Sequence, residues 1–196
     1  MCVIQSVLDN TFREKSIKET LERPEIKECD KEHFSEIGCI QNEVSIIPFI
    51  GGKINTFKSP KSESLSFEFS GCAMAQYKKN GVKYAAHICL YGMGNEGDCR
   101  DVWNELIQKT EITDVILFYP KTEALQKEQL EVCRKRMKSP QIITICGYIK
   151  GEKCYSAVID IDEKKVIKEI EQIPLIGVEN CIIRETGKKP SSCVIL

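Results

Sequence analysis

From Val44 onward the chain is written in short apolar runs separated by glycine and polar turns. Residues 9–38, by contrast, are dense in charge, from Asp9 through Arg13-Glu14-Lys15 to Lys31-Glu32, with Pro24 interrupting. The charged stretch predicts short helices or a loosely packed N-terminal segment. Val44-Ser45-Ile46-Ile47-Pro48-Phe49-Ile50, closed by Gly51-Gly52, predicts a strand with an edge proline, and the following residues, among them Asn55, Ser59, Pro60 and Ser62, read as a loop. Leu65, Phe67 and Phe69 then alternate with Ser64, Ser66, Glu68 and Ser70, the period of two that marks a half-buried strand, up to Gly71.

Residues 72–77 and 82–90 flank Lys78-Lys79-Asn80-Gly81, and Asn-Gly between apolar runs is a strong hairpin signal. After a loop holding Gly92, Gly94 and Gly97, Asp98 can cap a helix whose Cys99, Val102, Trp103, Leu106 and Ile107 share one face. Residues 112–119 predict a buried strand and 122–138 a second, mostly polar helix. Residues 141–149 and 154–161 predict another hairpin about Lys150-Gly151-Glu152-Lys153, and 166–173 is ambiguous. Six or seven strands with two main helices make an α+β (α/β) domain on a mainly antiparallel sheet. The chain divides into a charged N-terminal helical segment (1–40), a main domain (41–183) and a tail (184–196), without internal repeats.

Composition narrows the class. Of 196 residues, 42% are hydrophobic and 29% charged, the balance of a folding globular chain. Lys and Arg number 28 against 29 Asp and Glu, a net charge of -1, which excludes a basic nucleic-acid footprint. The 11 cysteines are odd in number, form no CxxC pair and have only 2 histidines beside them. That argues against a disulfide framework and a structural zinc site and for a reducing compartment; no metal or other cofactor is expected. Residues 1–9 are too short an apolar run for a signal peptide, and no apolar stretch is long enough for a membrane span.

The last four residues bring the membrane back. Cys193-Val194-Ile195-Leu196 is a C-a-a-X box whose terminal leucine is the pattern read by geranylgeranyl transferase, and residues 187–192 before it are small and polar with two lysines. One prenyl chain anchors weakly and reversibly, so the protein is expected in both cytosol and membranes. Prenylating enzymes are eukaryotic, which implies a eukaryotic protein or a bacterial one working inside a eukaryotic cell.

Cys72 and His87 are the nucleophile and base at an interpretable spacing. With a two-residue Asn80-Gly81 loop, Met74 faces His87 and Cys72 is the diagonal neighbour of His87 on the same face. With a four-residue loop the two are directly opposite, and a three-residue loop separates them. A thiol of pKa about 8.5 needs a neighbouring imidazolium to hold it as thiolate near neutral pH, and the same ring can later protonate a leaving amine. Gly71 lets a substrate approach the backbone, and the Cys72 amide can donate to an oxyanion. A third group must orient the ring: Ser66, or a backbone carbonyl from the strand around residues 44–51. His33 is expected to be solvated and the other cysteines to be core.

Phe69-Ser70-Gly71-Cys72 followed by Tyr84-Ala85-Ala86-His87 resembles the signature of the glutamine deamidases typified by the cytotoxic necrotizing factors, Burkholderia lethal factor and the chemotaxis receptor deamidase. The likeness covers residues 64–90, with Phe69 where those families carry leucine. It implies a β-sandwich flanked by helices, a catalytic Cys72, and His87 as its base. Ser66 stands at the place of a threonine that completes the site in two of the families; the necrotizing factors use a main-chain carbonyl instead. The implied activity is deamidation of a host protein, a Rho-type small GTPase first and a translation factor second. The agent would be a bacterial effector secreted into the host cell, prenylated by host geranylgeranyl transferase and held at host membranes. The same dyad could serve a transglutaminase, hydrolase or protease, and the tail alone could serve a non-enzymatic prenylated adaptor.

Overall fold

The computed structural model describes residues 2–13, 16–21, 33–90 and 99–184. Among these, two six-stranded sheets face one another in a mixed α+β, sandwich-like arrangement with four short helices. The first sheet runs β1 (Phe34–Ser35), β4 (Ile54–Lys58), β7 (Val82–Ile88), β6 (Ala73–Lys79), β8 (Ile112–Phe118), β12 (Leu175–Ile176). The second runs β11 (Lys165–Gln172), β10 (Lys153–Asp160), β9 (Ile143–Lys150), β5 (Glu63–Ser66), β3 (Val44–Ile47), β2 (Cys39–Gln41). Pairing is antiparallel except between β1 and β4 and between β3 and β5. The helices are α1 (Val3–Thr11), α2 (Ile17–Leu21), α3 (Cys99–Ile107) and α4 (Glu123–Arg136).

Three apolar clusters make the layers. Ile4 and Leu8 of α1 and Ile17 of α2 pack with Leu65, Phe67 and Tyr148 on the outer face of the second sheet. Trp103 and Ile107 of α3, with Cys181 and Ile183, cover Ala73, Ala75 and Leu117 on the outer face of the first. Between the sheets lie Ile47, Phe69, Cys72, Met74, Cys89, Phe118 and Ile145, joined by Leu125 and Val132 of α4. α1 is fastened at its N-terminus by Glu169 of β11, whose carboxylate accepts from the Val3 and Ile4 amides at 2.9 and 2.5 Å. α4 starts at Thr122, whose hydroxyl accepts from the Leu125 amide at 3.3 Å, and ends at Met137 in the left-handed region.

Several expectations are corrected. Residues 54–58, read as a loop, form β4, an inner strand paired with both β1 and β7. Pro48 does not sit within a strand; β3 stops at Ile47 before it. The ambiguous 166–173 stretch is the edge strand β11. The alternation of Leu65, Phe67 and Phe69 does not describe one strand with one wet face, because β5 ends at Ser66 and Glu68 takes φ 65°. That left-handed residue turns the chain over: Leu65 and Phe67 point under α1, whereas Phe69 enters the space between the sheets. The serine face of β5 is not solvated either. Ser64 and Ser66 are fully buried against the first sheet, and Ser64 accepts from Gln76 Nε2 at 2.9 Å. The expected solvation of His33 is also corrected, since it is half-buried and its Nδ1 is shielded without a hydrogen-bond partner.

The close approach that this polar seam requires depends on Gly147. A Cβ there would lie 2.7 Å from Pro120 Cγ and 3.0 Å from Met74 Sδ, both across the gap. Gly147 pairs with Ser66 in the second sheet, and Met74 pairs with His87 in the first. The missing side chain therefore lies beside the place where Ser66 and His87 meet.

Candidate active site

The Asn80-Gly81 turn is the two-residue form, with φ 49° and 76° at its two residues. Lys79 pairs with Val82 and Met74 with His87, the first of the registers considered. Cys72 precedes β6 by one residue, so it shares the inner face with Met74 and is the diagonal neighbour of His87. On its other side His87 pairs with Asn55 of β4.

Ser66 reaches His87 from the facing sheet. Its Oγ lies 2.8 Å from His87 Nδ1 and donates to the Ile47 carbonyl at 2.5 Å. A hydroxyl has one proton, and the Ile47 carbonyl can only accept, so the Ser66 proton is committed there. Ser66 must then accept from His87, which places the ring proton on Nδ1 and leaves Nε2 with its lone pair. Nε2 is buried with no hydrogen-bond partner. The two candidates for a third group, a hydroxyl and a carbonyl from residues 44–51, thus act in series.

The imidazole is held between aromatic rings. Phe69 stacks on it at 4.1 Å between centroids and 4° between planes, and Phe49 meets it at 5.2 Å and 53°. His87 is 1% exposed, and burial pushes its pKa down to about 3. The ring is therefore a neutral base at physiological pH. This overturns the expected imidazolium partner for the thiol: a ring held neutral can take a proton from Cys72 during an attack but does not hold a standing thiolate–imidazolium pair.

Cys72 is 3% exposed and does not hydrogen-bond to Nε2. The structure thus joins Ser66 to His87 and brings Cys72 onto the same face, while the final sulfur–nitrogen contact is open; such contacts often tighten only with substrate. Gly71, half-buried, and Ser70, exposed, carry the surface toward the thiol. Lys121 donates to the Ser70 carbonyl at 2.9 Å and so holds the turn that carries the Gly71 and Cys72 amides.

Four contributors were missed in the sequence: Asn55, Phe49, Lys121 and Gly147. The Ile54-Asn55-Thr56-Phe57 run, bounded by Gly52 and Ser59-Pro60, carried a strand signal that would have located Asn55. The others depend on contacts between the sheets. Among the described residues, no group of three or more His, Cys, Asp or Glu side chains is arranged to hold a metal ion. Cys193 with its C-a-a-X box, the Asp98 cap and the 91–98 loop lie outside the described residues. No described helix is long and apolar enough to cross a membrane. No protein-family model, no curated protein and no solved structure matches this chain.

Proposed function

We propose that the protein is a cysteine-dependent protein-glutamine deamidase with a deamidase-toxin type of sandwich. The observation that carries this reading is the chain Ile47 carbonyl, Ser66 hydroxyl, His87 Nδ1–H. It leaves a basic Nε2 on the face that also bears Cys72.

In the proposed reaction, Cys72 Sγ attacks the carboxamide carbon of a substrate glutamine as its proton passes to His87 Nε2. The amides of Gly71 and Cys72 hold the oxyanion. Collapse of the tetrahedral adduct breaks the C–N bond, and Nε2–H protonates the departing ammonia. Water then attacks the thioester, giving its proton to Nε2, and Cys72 leaves as the thiol, with glutamate as product. Ser66 keeps the tautomer fixed throughout. The same dyad can serve a transglutaminase, hydrolase or protease when an amine or a backbone amide takes the place of water or carboxamide.

A geranylgeranylated Cys193 would concentrate the enzyme at host membranes, where prenylated Rho-type GTPases lie; a translation factor is the second substrate class. This reading takes the protein to be a secreted bacterial effector that host geranylgeranyl transferase modifies. The burial of Cys72 favours one competing reading, a prenylated adaptor in which Cys72 is core packing. Expression of wild type and Cys72→Ser in eukaryotic cells, followed by proteome-wide mass spectrometry, separates the two. Glutamine-to-glutamate conversion only with wild type is expected. No conversion, with both forms equally membrane-bound, would count against the deamidase and favour the adaptor.

A further inference from the structure

We propose that Asn55 is a positioning residue, which sets the Ile47-Pro48-Phe49 segment and through it the proton arrangement of His87; its catalytic consequence rests on the deamidase reading above. Asn55 lies opposite His87 in the first sheet and is 0% exposed. A buried amide must find partners for its donors and acceptor. Asn55 does so by gripping two other segments. Nδ2 donates to the Pro48 carbonyl at 2.8 Å and to the Ile37 carbonyl at 3.0 Å. Oδ1 accepts from Ser35 Oγ and from the Ile37 amide, each at 3.0 Å.

The grip on Pro48 bears directly on the base. Pro48 follows Ile47, whose carbonyl takes the Ser66 proton, and precedes Phe49, whose ring packs on His87. Two consecutive carbonyls are therefore held by two side chains, Ile47 by Ser66 and Pro48 by Asn55. Without Asn55 the Pro48 carbonyl loses its donor, and because the proline ring couples it stiffly to the Ile47 carbonyl, the displacement of the segment weakens the Ile47–Ser66 bond. The Ser66 hydroxyl can then swing its proton onto His87 Nδ1. The ring answers by taking the Nε2–H form, in which Nε2 is a donor and no longer a base.

The chain has only 2 histidines, so the ring nitrogens of ¹⁵N-labelled protein can be assigned without ambiguity. Long-range ¹H–¹⁵N spectra near neutral pH should show wild-type His87 as a single Nδ1–H tautomer. Asn55→Ser should bring the Nε2–H form to a comparable population and slow iodoacetamide labelling of Cys72, read by mass spectrometry, by about tenfold. A folded Asn55→Ser protein with the wild-type His87 spectrum overturns the proposal. If Asn55→Ser does not fold, Asn55→Asp, which keeps the volume and the Oδ1 acceptor, is read in the same way. His87→Gln separates the two layers. Cys72 labelling that does not change in His87→Gln defeats the deamidase reading, while a tautomer shift in the Asn55 variants still upholds the positioning role.

Discussion

His87 is a titratable side chain that folding places in an environment favouring its neutral form. Its pKa falls from 6.5 to about 3, with burial as the cause. Above pH 6.5 the ring is neutral whether the chain is folded or not, and its contribution to stability is complete. Below 6.5 only the unfolded chain takes up the proton, so stability falls with pH until the folded protein protonates near 3. Each pH unit in that window lowers stability by up to about 1.4 kcal/mol. Urea titrations between pH 7 and pH 5 should show this slope in wild type and a flatter one in His87→Gln; equal slopes would show that the ring is not shielded. Ser66 is tied to the same balance. Ser66→Ala leaves a buried Nδ1–H and the Ile47 carbonyl without their partner, so a loss of about 1–3 kcal/mol is expected in the same titrations.

Elements meet here across an apolar seam that carries a few paired polar groups. β5 brings Ser64 and Ser66 to the first sheet, where they bond to Gln76 and His87, and β9 brings Gly147, which allows the approach. Gly147→Ala would press a methyl group against Pro120 and Met74. Such overpacking should destabilise by about 1–3 kcal/mol, read as a lower denaturation midpoint. It should also weaken the Ser66 bond, so that the His87 tautomer becomes mixed in the ¹⁵N spectrum. A fully stable Gly147→Ala protein would mean that the sheets have slack there. The turn at Glu68 matters for a related reason: by inverting the chain after Ser66, it delivers Phe69 to the imidazole.

At the scale of the whole molecule, outer apolar layers cover both sheets, Cys72 and His87 are buried between them, and the exposed Ser70 beside half-buried Gly71 is the surface next in sequence to the thiol. α4 is welded to the end of β10 by Arg136 and Lys138, which reach Asp160 at 2.9 and 2.7 Å; the Asp160 side chain is fully buried. On the proposed prenylation of Cys193, the place where the molecule works in the cell depends on its C-terminal box. Cys193→Ser should remove the prenyl group and shift the protein from the membrane to the soluble fraction of fractionated eukaryotic cells. The folded domain and the His87 spectrum should stay as they are. A membrane fraction unchanged in Cys193→Ser would place the membrane signal elsewhere.

Local pattern alone determined a good part of this protein. Asn80-Gly81 marked the hairpin and narrowed it to a few registers, of which the two- and four-residue loops put Cys72 and His87 on one face; the structure takes the two-residue one. The α3 stripe and the existence of α4 were equally legible, since each depends on residues within a few turns. What lay between sheets was decided only by the tertiary structure. Periodicity cannot say whether a serine-bearing face meets water or another sheet, and β5 reads the same in both cases. Nor could the chain show that Ser66 and the Ile47 carbonyl act in series, that Asn55 holds the segment between them, or that Gly147 makes room. Each of these depends on side chains brought together from strands distant in sequence, and on the exclusion of water that makes His87 a neutral base.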